Sequence, residues 1–319
     1  MTLDLRPYLK ELARGRHGAR DMTREQSRTV FEAVFAGDVD DLALGALLVA
    51  LRVKNESVDE LAGMMDAVAP HVRALAMPQL RAAPVIVPTY NGARKLPNLV
   101  PLLALLLARE GVPVVLHGAA QEPQRVSTFE VLALLGHEPA RALDEAAASL
   151  ASHRIAAVPL ALLCPALATL IDRRLALGVR NSGHTLAKLL LPHGVDPARA
   201  CRLVAVTHPD FQVLMRQYFA LAPGHVFLMR GVEGEAVVRL HAPQPIEQVD
   251  PEGKLVTHLL PECPAPELPA REAAATAQWT REVLDGRRDV PQALARQVAL
   301  LVAHSRAAAE APPALRIVQ

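Results

Sequence analysis

From Val85 onward the chain alternates short β-type runs with helical stretches, and this alternation restricts the possible fold more than any other feature. Runs rich in Val, Ile, Leu and Phe occupy residues 85–87, 112–116, 155–158, 203–207, 226–229 and 237–240. Helical stretches at 98–109, 128–135 and 209–220 lie between several of them. Such alternation predicts an α/β sheet with mainly parallel strands.

Residues 1 to about 75 carry helical signals only. Thr23 with Gln26 forms a capping-box pattern, Val30, Ala33, Val34 and Phe35 supply an apolar stripe, and Gly37 ends the helix. Asp41 opens a second helix over 42–53, whose continuous Ala/Leu run predicts burial on most sides. Ser57 with Glu60 caps a third over 61–69, stopped by Pro70. Between 162 and 191 the pattern is helical again with no β run, which predicts packing back on the N-terminal helices. The expected division is therefore a helical domain of residues 1–80 joined by 162–192, and an α/β domain of 84–160 and 193–319. The Pro-rich segment 261–269 reads as a surface loop, and 278–309 as helix.

With 319 residues, 51% of them hydrophobic, the chain can bury a core for one large or two smaller domains. A net charge of +1 leaves only local clustering to attract a polyanion. The low aromatic content, 3%, disfavours a platform on which bases stack. Cys164, Cys201 and Cys263 have no metal-ligand spacing and read as buried, reduced thiols. Residues 1–7 resemble no signal-peptide apolar region, and the longest apolar stretch, 99–108, is too short to span a bilayer. A cytoplasmic protein is the expectation.

The most informative local segment is Thr89-Tyr90-Asn91-Gly92-Ala93-Arg94-Lys95, between the first β run and a helix. A Gly-bearing turn there can hold phosphate with its backbone N–H groups. This turn carries two cations and no carboxylate, whereas a magnesium–diphosphate substrate usually requires carboxylates for the metal. Charge is also unevenly distributed. Residues 173–216 hold seven cations against Asp196 and Asp210, and residues 81–125 hold five against Glu110 and Glu122. Residues 38–66 hold seven acids against Arg52 and Lys54. If Arg94, Lys95, Arg173, Arg174, Arg180 and Lys188 line one cleft, a phosphate backbone is a natural ligand. His117-Gly118 ends a β run, where ligands collect in α/β folds; its alternative is a hydrogen-bonded structural His. Tyr90 could stack on a base or pack internally, Asn98 suits a helix N-cap, and Ser127-Thr128 reads equally as a cap or a phosphate contact. His184, His193 and His208 have no metal-ligand spacing.

Several segments resemble anthranilate phosphoribosyltransferases. They are Met22-Thr23-Arg24-Glu25-Gln26, Gly37-Asp38, the stretch from Gly45 to Glu56, and Glu60-Leu61-Ala62-Gly63, with order and spacing kept. Leu116-His117-Gly118, Val131 to Gly136, Cys164 to Arg174 and Leu177-Gly178-Val179-Arg180 continue the likeness. The resemblance implies a nucleoside phosphorylase/phosphoribosyltransferase-like fold. That fold is a small all-helical N-terminal domain, a larger α/β domain with a mainly parallel sheet, a cleft at the hinge, and commonly a homodimer through the helical domain. The family's diphosphate loop, Gly-Thr-Gly-Gly-Asp followed by Asn-x-Ser-Thr, is replaced by Tyr90-Asn91-Gly92-Ala93-Arg94 and Asn98-Leu99-Val100-Pro101. Its adjacent Asp-Glu metal pair is absent after Arg230-Gly231, where the chain reads Val232-Glu233-Gly234-Glu235. The lysine before His-Gly is Leu116. The chain thus resembles the YbiB-type branch of the family, which is regarded as nucleic-acid-binding.

Two functions follow as expectations. One is non-sequence-specific DNA or RNA binding without catalysis or cofactor. It would use Tyr90, Asn91, Gly92, Arg94, Lys95, Asn98, His117, Gly118, Arg173, Arg174, Arg180, Lys188 and Arg230. No helix-turn-helix or zinc-finger signal accompanies it. The other is phosphoribosyl transfer with an altered substrate, with Glu233 or Glu235 standing in as a magnesium ligand and Arg174 at a position resembling an acceptor-carboxylate contact.

Overall fold

The structure, a computed structural model, describes residues 3–15, 17–78, 81–119 and 124–310. In chain order the elements begin with α1 (Arg6–Leu12), α2 (Arg24–Ala36), α3 (Asp41–Lys54) and α4 (Val58–Val68). Next come β1 (Val85–Thr89), α5 (Val100–Arg109), β2 (Val114–Gly118), α6 (Thr128–Leu134), α7 (Leu143–His153), β3 (Ile155–Pro159) and α8 (Leu160–Leu163). Three short helices follow: α9 (Pro165–Asp172), α10 (Arg174–Leu177) and α11 (Gly183–Ala187). The rest is β4 (Cys201–Val206), α12 (Pro209–Leu221), β5 (Val226–Arg230), β6 (Gln244–Val249), β7 (Leu255–Leu260), α13 (Ala273–Leu284) and α14 (Gln292–Glu310).

The chain divides into two compact units, Met1–Arg73 with Leu163–His193, and Ala74–Leu162 with Gly194–Gln319. The first is helical. Its helices start where local chemistry dictates: Thr23 with Gln26, and Ser57 with Glu60, each form a complete capping box, and Gly37 adopts the left-handed conformation that closes α2. α2 packs on α4 through fully buried Val30, Phe31, Leu61 and Met64. α3 departs from the expectation of all-round burial. Leu44, Leu47, Leu48 and Leu51 are buried, but Leu42 is 85% and Val53 76% exposed. An Ala/Leu-rich composition sets hydrophobicity, whereas burial also needs a partner on every side.

The second unit is built on a seven-stranded sheet in the order β3-β2-β1-β4-β5-β6-β7. β1 to β5 are parallel, and β6 and β7 are antiparallel. Val85, Val87, Leu116, Leu203 and Phe227 point to one face and share a core with Leu103, Leu107, Phe129, Trp279 and Leu301 from the helices. The intervening Ile86, Val115, Val204 and Leu228 are buried as well, which accounts for continuous rather than alternating apolar runs. The run at 237–240 is not a strand. Val237, Val238 and Leu240 are buried, but the Val238 N–H donates to Gln297 Oε1 rather than to a neighbouring strand. β6 and β7 escaped the sequence reading because Pro245, Glu247 and Gln248 weaken the first and the second has no buried face to give it a period. Cys164, Cys201 and Cys263 are free and buried. Among the described residues no helix is long and apolar enough to cross a membrane.

Candidate anion cradle at the sheet switch point

Strand order reverses between β1 and β4, since β2 and β3 lie on one side of β1 and β4 and β5 on the other. The carboxyl ends of strands at such a reversal are where α/β sheets place ligands. The segment from Tyr90 to Leu96 follows β1, and the turn Val232–Glu235 follows β5. The first segment is pinned on one side by paired hydrogen bonds between Ala93 and Val126, 2.8 and 2.9 Å.

On its other side the segment meets two carboxylates. Glu235 Oε1 accepts from the N–H groups of Asn91 and Gly92, both at 2.7 Å. Glu233 accepts from Arg94 N at 2.8 Å, Lys95 N at 3.1 Å and Leu96 N at 3.3 Å. Five consecutive or near-consecutive amides therefore converge on two anions from one four-residue turn. Glu235 is buried, and its Oε2 has no hydrogen-bond partner among the described residues. Glu233 is half-buried. Burial raises its pKa, but the three amides and the Arg125 charge outweigh that and hold it below the ordinary carboxylate range.

The turn is shaped for this contact. Glu233 has φ +53° and Gly234 φ +86°, and Glu235 N donates to Val232 O at 2.9 Å, which is a type I′ arrangement. Asn91 Nδ2 donates to the Gly234 carbonyl at 2.6 Å, and a Cβ on Gly234 would stand 2.0 Å from that nitrogen. Only glycine fits there. Glu at the preceding position carries left-handed strain that Asn, Asp or Gly would relieve.

The cations lie outside this cradle. The Arg94 and Lys95 side chains are exposed, and no carboxylate pairs with either among the described residues. Arg125 reaches the Gly92 carbonyl at 3.4 Å, and Arg271 reaches the Arg94 carbonyl at 2.6 Å. Arg230, exposed, ends β5. Arg125 and Arg271 escaped the sequence reading because their approach to the loop is tertiary. Glu233 and Glu235 were read there only as stand-in metal ligands, and the Glu-Gly pair of a tight turn was the available clue.

Tyr90 and His117 take the structural reading. Tyr90 is buried, its hydroxyl shares a 2.7 Å hydrogen bond with His117 Nδ1, and the two rings meet edge to face. No face of Tyr90 is open for base stacking. His117 has no exposed surface, and burial lowers its pKa to about 3, so it is neutral and offers no charge to a phosphate. Gly118 ends β2 opposite Thr89, where a Cβ would stand 2.1 Å from the Thr89 carbonyl oxygen. Asn98 is buried. Its Nδ2 donates to Thr128 Oγ1 at 3.0 Å, and its Oδ1 accepts from Val100 N at 3.2 Å. Ser127 forms a capping box with Glu130, so this serine is a helix cap.

Arg173, Arg174, Arg180 and Lys188 belong to the helical unit. Arg173 pairs with Asp41 at 3.1 Å. The charges of the other three reach His184. Its burial, followed by the charges of Arg180, Arg174 and Lys188, lowers its pKa to about 3, which marks a local concentration of positive charge.

Similarity to known proteins accords with this architecture. Residues 6–71 match the helical bundle domain of the glycosyl transferase family. The uncharacterized protein YbiB of Escherichia coli K12 is 38% identical over 309 residues, covering 96% of each chain. The chain belongs to the anthranilate phosphoribosyltransferase-like family. Within it, the anthranilate phosphoribosyltransferase of Rhodopseudomonas palustris BisA53 is 26% identical over 293 residues, covering 89% of this chain and 83% of the other. The Thermus thermophilus enzyme shares the fold at a TM-score of 0.74 and 24% identity, covering 94% of this chain and 88% of that one. The Saccharomyces cerevisiae enzyme, solved with PRPP and Mg, does so at 0.72 and 16%, covering 96% and 92%.

Proposed function

We propose that this chain uses a phosphoribosyltransferase-like scaffold to bind nucleic acid, DNA or RNA, without catalysis and with little sequence preference. The observation that carries the reading is the division of labour at the loop: its amides are saturated by Glu233 and Glu235, while the Arg94 and Lys95 side chains are exposed. A magnesium–phosphoribosyl diphosphate donor, as named for the yeast enzyme, does not fit this arrangement. Two carboxylates stand on the loop amides that diphosphate oxygens would otherwise take. Diphosphate departure develops negative charge that a metal normally neutralises. The exposed Arg94 and Lys95 side chains, with no carboxylate partner among the described residues, suit a polyanion backbone instead; Arg125, Arg230 and Arg271 extend the rim, and Arg174, Arg180 and Lys188 add positive charge in the helical unit. The chain acts as a homodimer, its subunits joined through the exposed apolar residues of α3, Leu42, Val49 and Val53.

The test is fluorescence anisotropy on short and long DNA and RNA oligonucleotides of unrelated sequence across a salt series. Four to six neutralised phosphates give a log–log slope of roughly −3 to −5. Arg94→Ala and Lys95→Ala each weaken all sequences alike and reduce the slope by about one. Salt-insensitive binding, or no loss in the double variant, removes this rim from consideration. Magnesium-dependent binding of phosphoribosyl diphosphate with turnover of anthranilate would replace the reading by the transferase one. Light scattering that gives a stable monomer at micromolar concentration would remove the dimer.

A further inference from the structure

We propose that Glu233 is a built-in competitor for phosphate, and the residue that decides whether the Tyr90–Leu96 loop accepts a free diphosphate. Three amides, those of Arg94, Lys95 and Leu96, point at one carboxylate. Convergent backbone N–H groups after a β-strand are the donor set that phosphate oxygens take elsewhere. Here the acceptor is covalently part of the protein, at the tip of a two-residue turn. Its effective concentration at the amides is therefore fixed and high, at least the millimolar values of short flexible linkers. A free polyanion must displace it, and approaches against like charge.

The two carboxylates are not equivalent. Glu235 is buried and holds Asn91 and Gly92 from below, which makes it part of the loop's framework. Glu233 is half-exposed and covers the outer half of the cradle, where an incoming anion would arrive. Its backbone is in the left-handed region at φ +53°, a conformation that Asn or Gly adopts with less strain. The chain thus keeps a costly residue where a cheaper one fits the turn. The contact that offsets the cost is the carboxylate on the amides.

This inference does not require that nucleic acid be the ligand of the rim. The probe is inorganic pyrophosphate, titrated by calorimetry without and with magnesium into the full chain and into Glu233→Asn. Asparagine suits the Asn-Gly type I′ turn, removes the charge and is one methylene shorter, so the turn is preserved and the cradle opened. Expected is a gain in pyrophosphate affinity of about tenfold or more in the variant, with the Arg94, Lys95 and Leu96 amide resonances shifting on titration only there. Glu233→Gln keeps the reach and loses the charge, and gives an intermediate gain. Pyrophosphate binding by the unsubstituted chain as tight as by Glu233→Asn overturns the proposal, as does a folded Glu233→Asn or Glu233→Gln with no gain. Loss of oligonucleotide binding in Arg94→Ala with Lys95→Ala reports on the rim alone and leaves this result unaffected.

Discussion

Two carboxylate clusters do similar geometric work in different ways. In the helical unit, Glu60 has no exposed surface and accepts from the N–H groups of Met22 at 2.9 Å and Ser57 at 2.8 Å, with Lys54 Nζ at 2.7 Å. Lys54 is itself 8% exposed and also reaches Asp21. The charge is neutralised by a cation, and the donors are local or from one neighbouring segment; Asn55, whose carbonyl also accepts from Lys54 Nζ, takes a positive φ of +67° at the end of α3. At the loop, Glu233 and Glu235 accept five amides, no cation forms an ion pair with either among the described residues, and one of the two sits in a left-handed turn. The first arrangement holds a fold together. The second sets two carboxylates on the amides of a loop at the sheet switch point, with the Arg94 and Lys95 side chains exposed beside it.

If that contrast is right, removing Glu60 has the largest effect. Glu60→Ala leaves Lys54 with only Asp21 and the Asn55 carbonyl and two N–H groups without an acceptor, and costs about 3–5 kcal/mol in urea denaturation. A loss under about 1 kcal/mol would show that the pair contributes nothing structural. Gly234→Ala comes next. Its Cβ meets Asn91 and its φ is positive, so about 2–4 kcal/mol is lost, and the Glu233 contacts with it. Unchanged stability in this variant would mean the turn is not held as described.

Acid probes both units. His117 and His184 each titrate near pH 3 in the folded chain and near 6.5 when unfolded. The unfolded state therefore binds more protons below pH 6.5, and stability is full above that value and lost as pH falls toward 3. At about pH 5 each histidine removes about 2 kcal/mol. Stability that is flat between pH 7 and 5 would contradict the buried neutral state of both. The smallest effect belongs to Glu233→Asn. Lost charge-assisted hydrogen bonds are offset by the better turn residue, so the net change is within about 1 kcal/mol. Its pKa is lowered in the folded chain, so its own contribution is present above the ordinary carboxylate range and is lost as pH falls through the folded value. A change in Glu233→Asn as large as in Glu60→Ala would erase the distinction between the two clusters.

Both clusters are built from residues visible in the sequence, yet only one could be read there. Ser57-x-x-Glu60 is a local pattern whose capping bonds could be read, although the Met22 donor lies 38 residues away and could not. Glu235 lies 144 residues from Asn91, and Glu233 139 from Arg94, so no spacing announces their meeting. The same limit hid Arg125 and Arg271 at the loop, turned the buried run at 237–240 into an expected strand, and made Tyr90 and His117 candidates for ligand contact rather than partners of each other.

The sequence by itself determined the capped helices, the first five strands and their parallel class, and the position of a glycine turn after β1, because capping, apolar period and turn chemistry act over a few residues. It also determined that the loop carries cations where the family carries an acid. Only the tertiary structure decided what the loop's amides hold. Strand order brought the ends of β1 and β5 together across β4, and that proximity gave the loop's amides to two carboxylates distant in sequence.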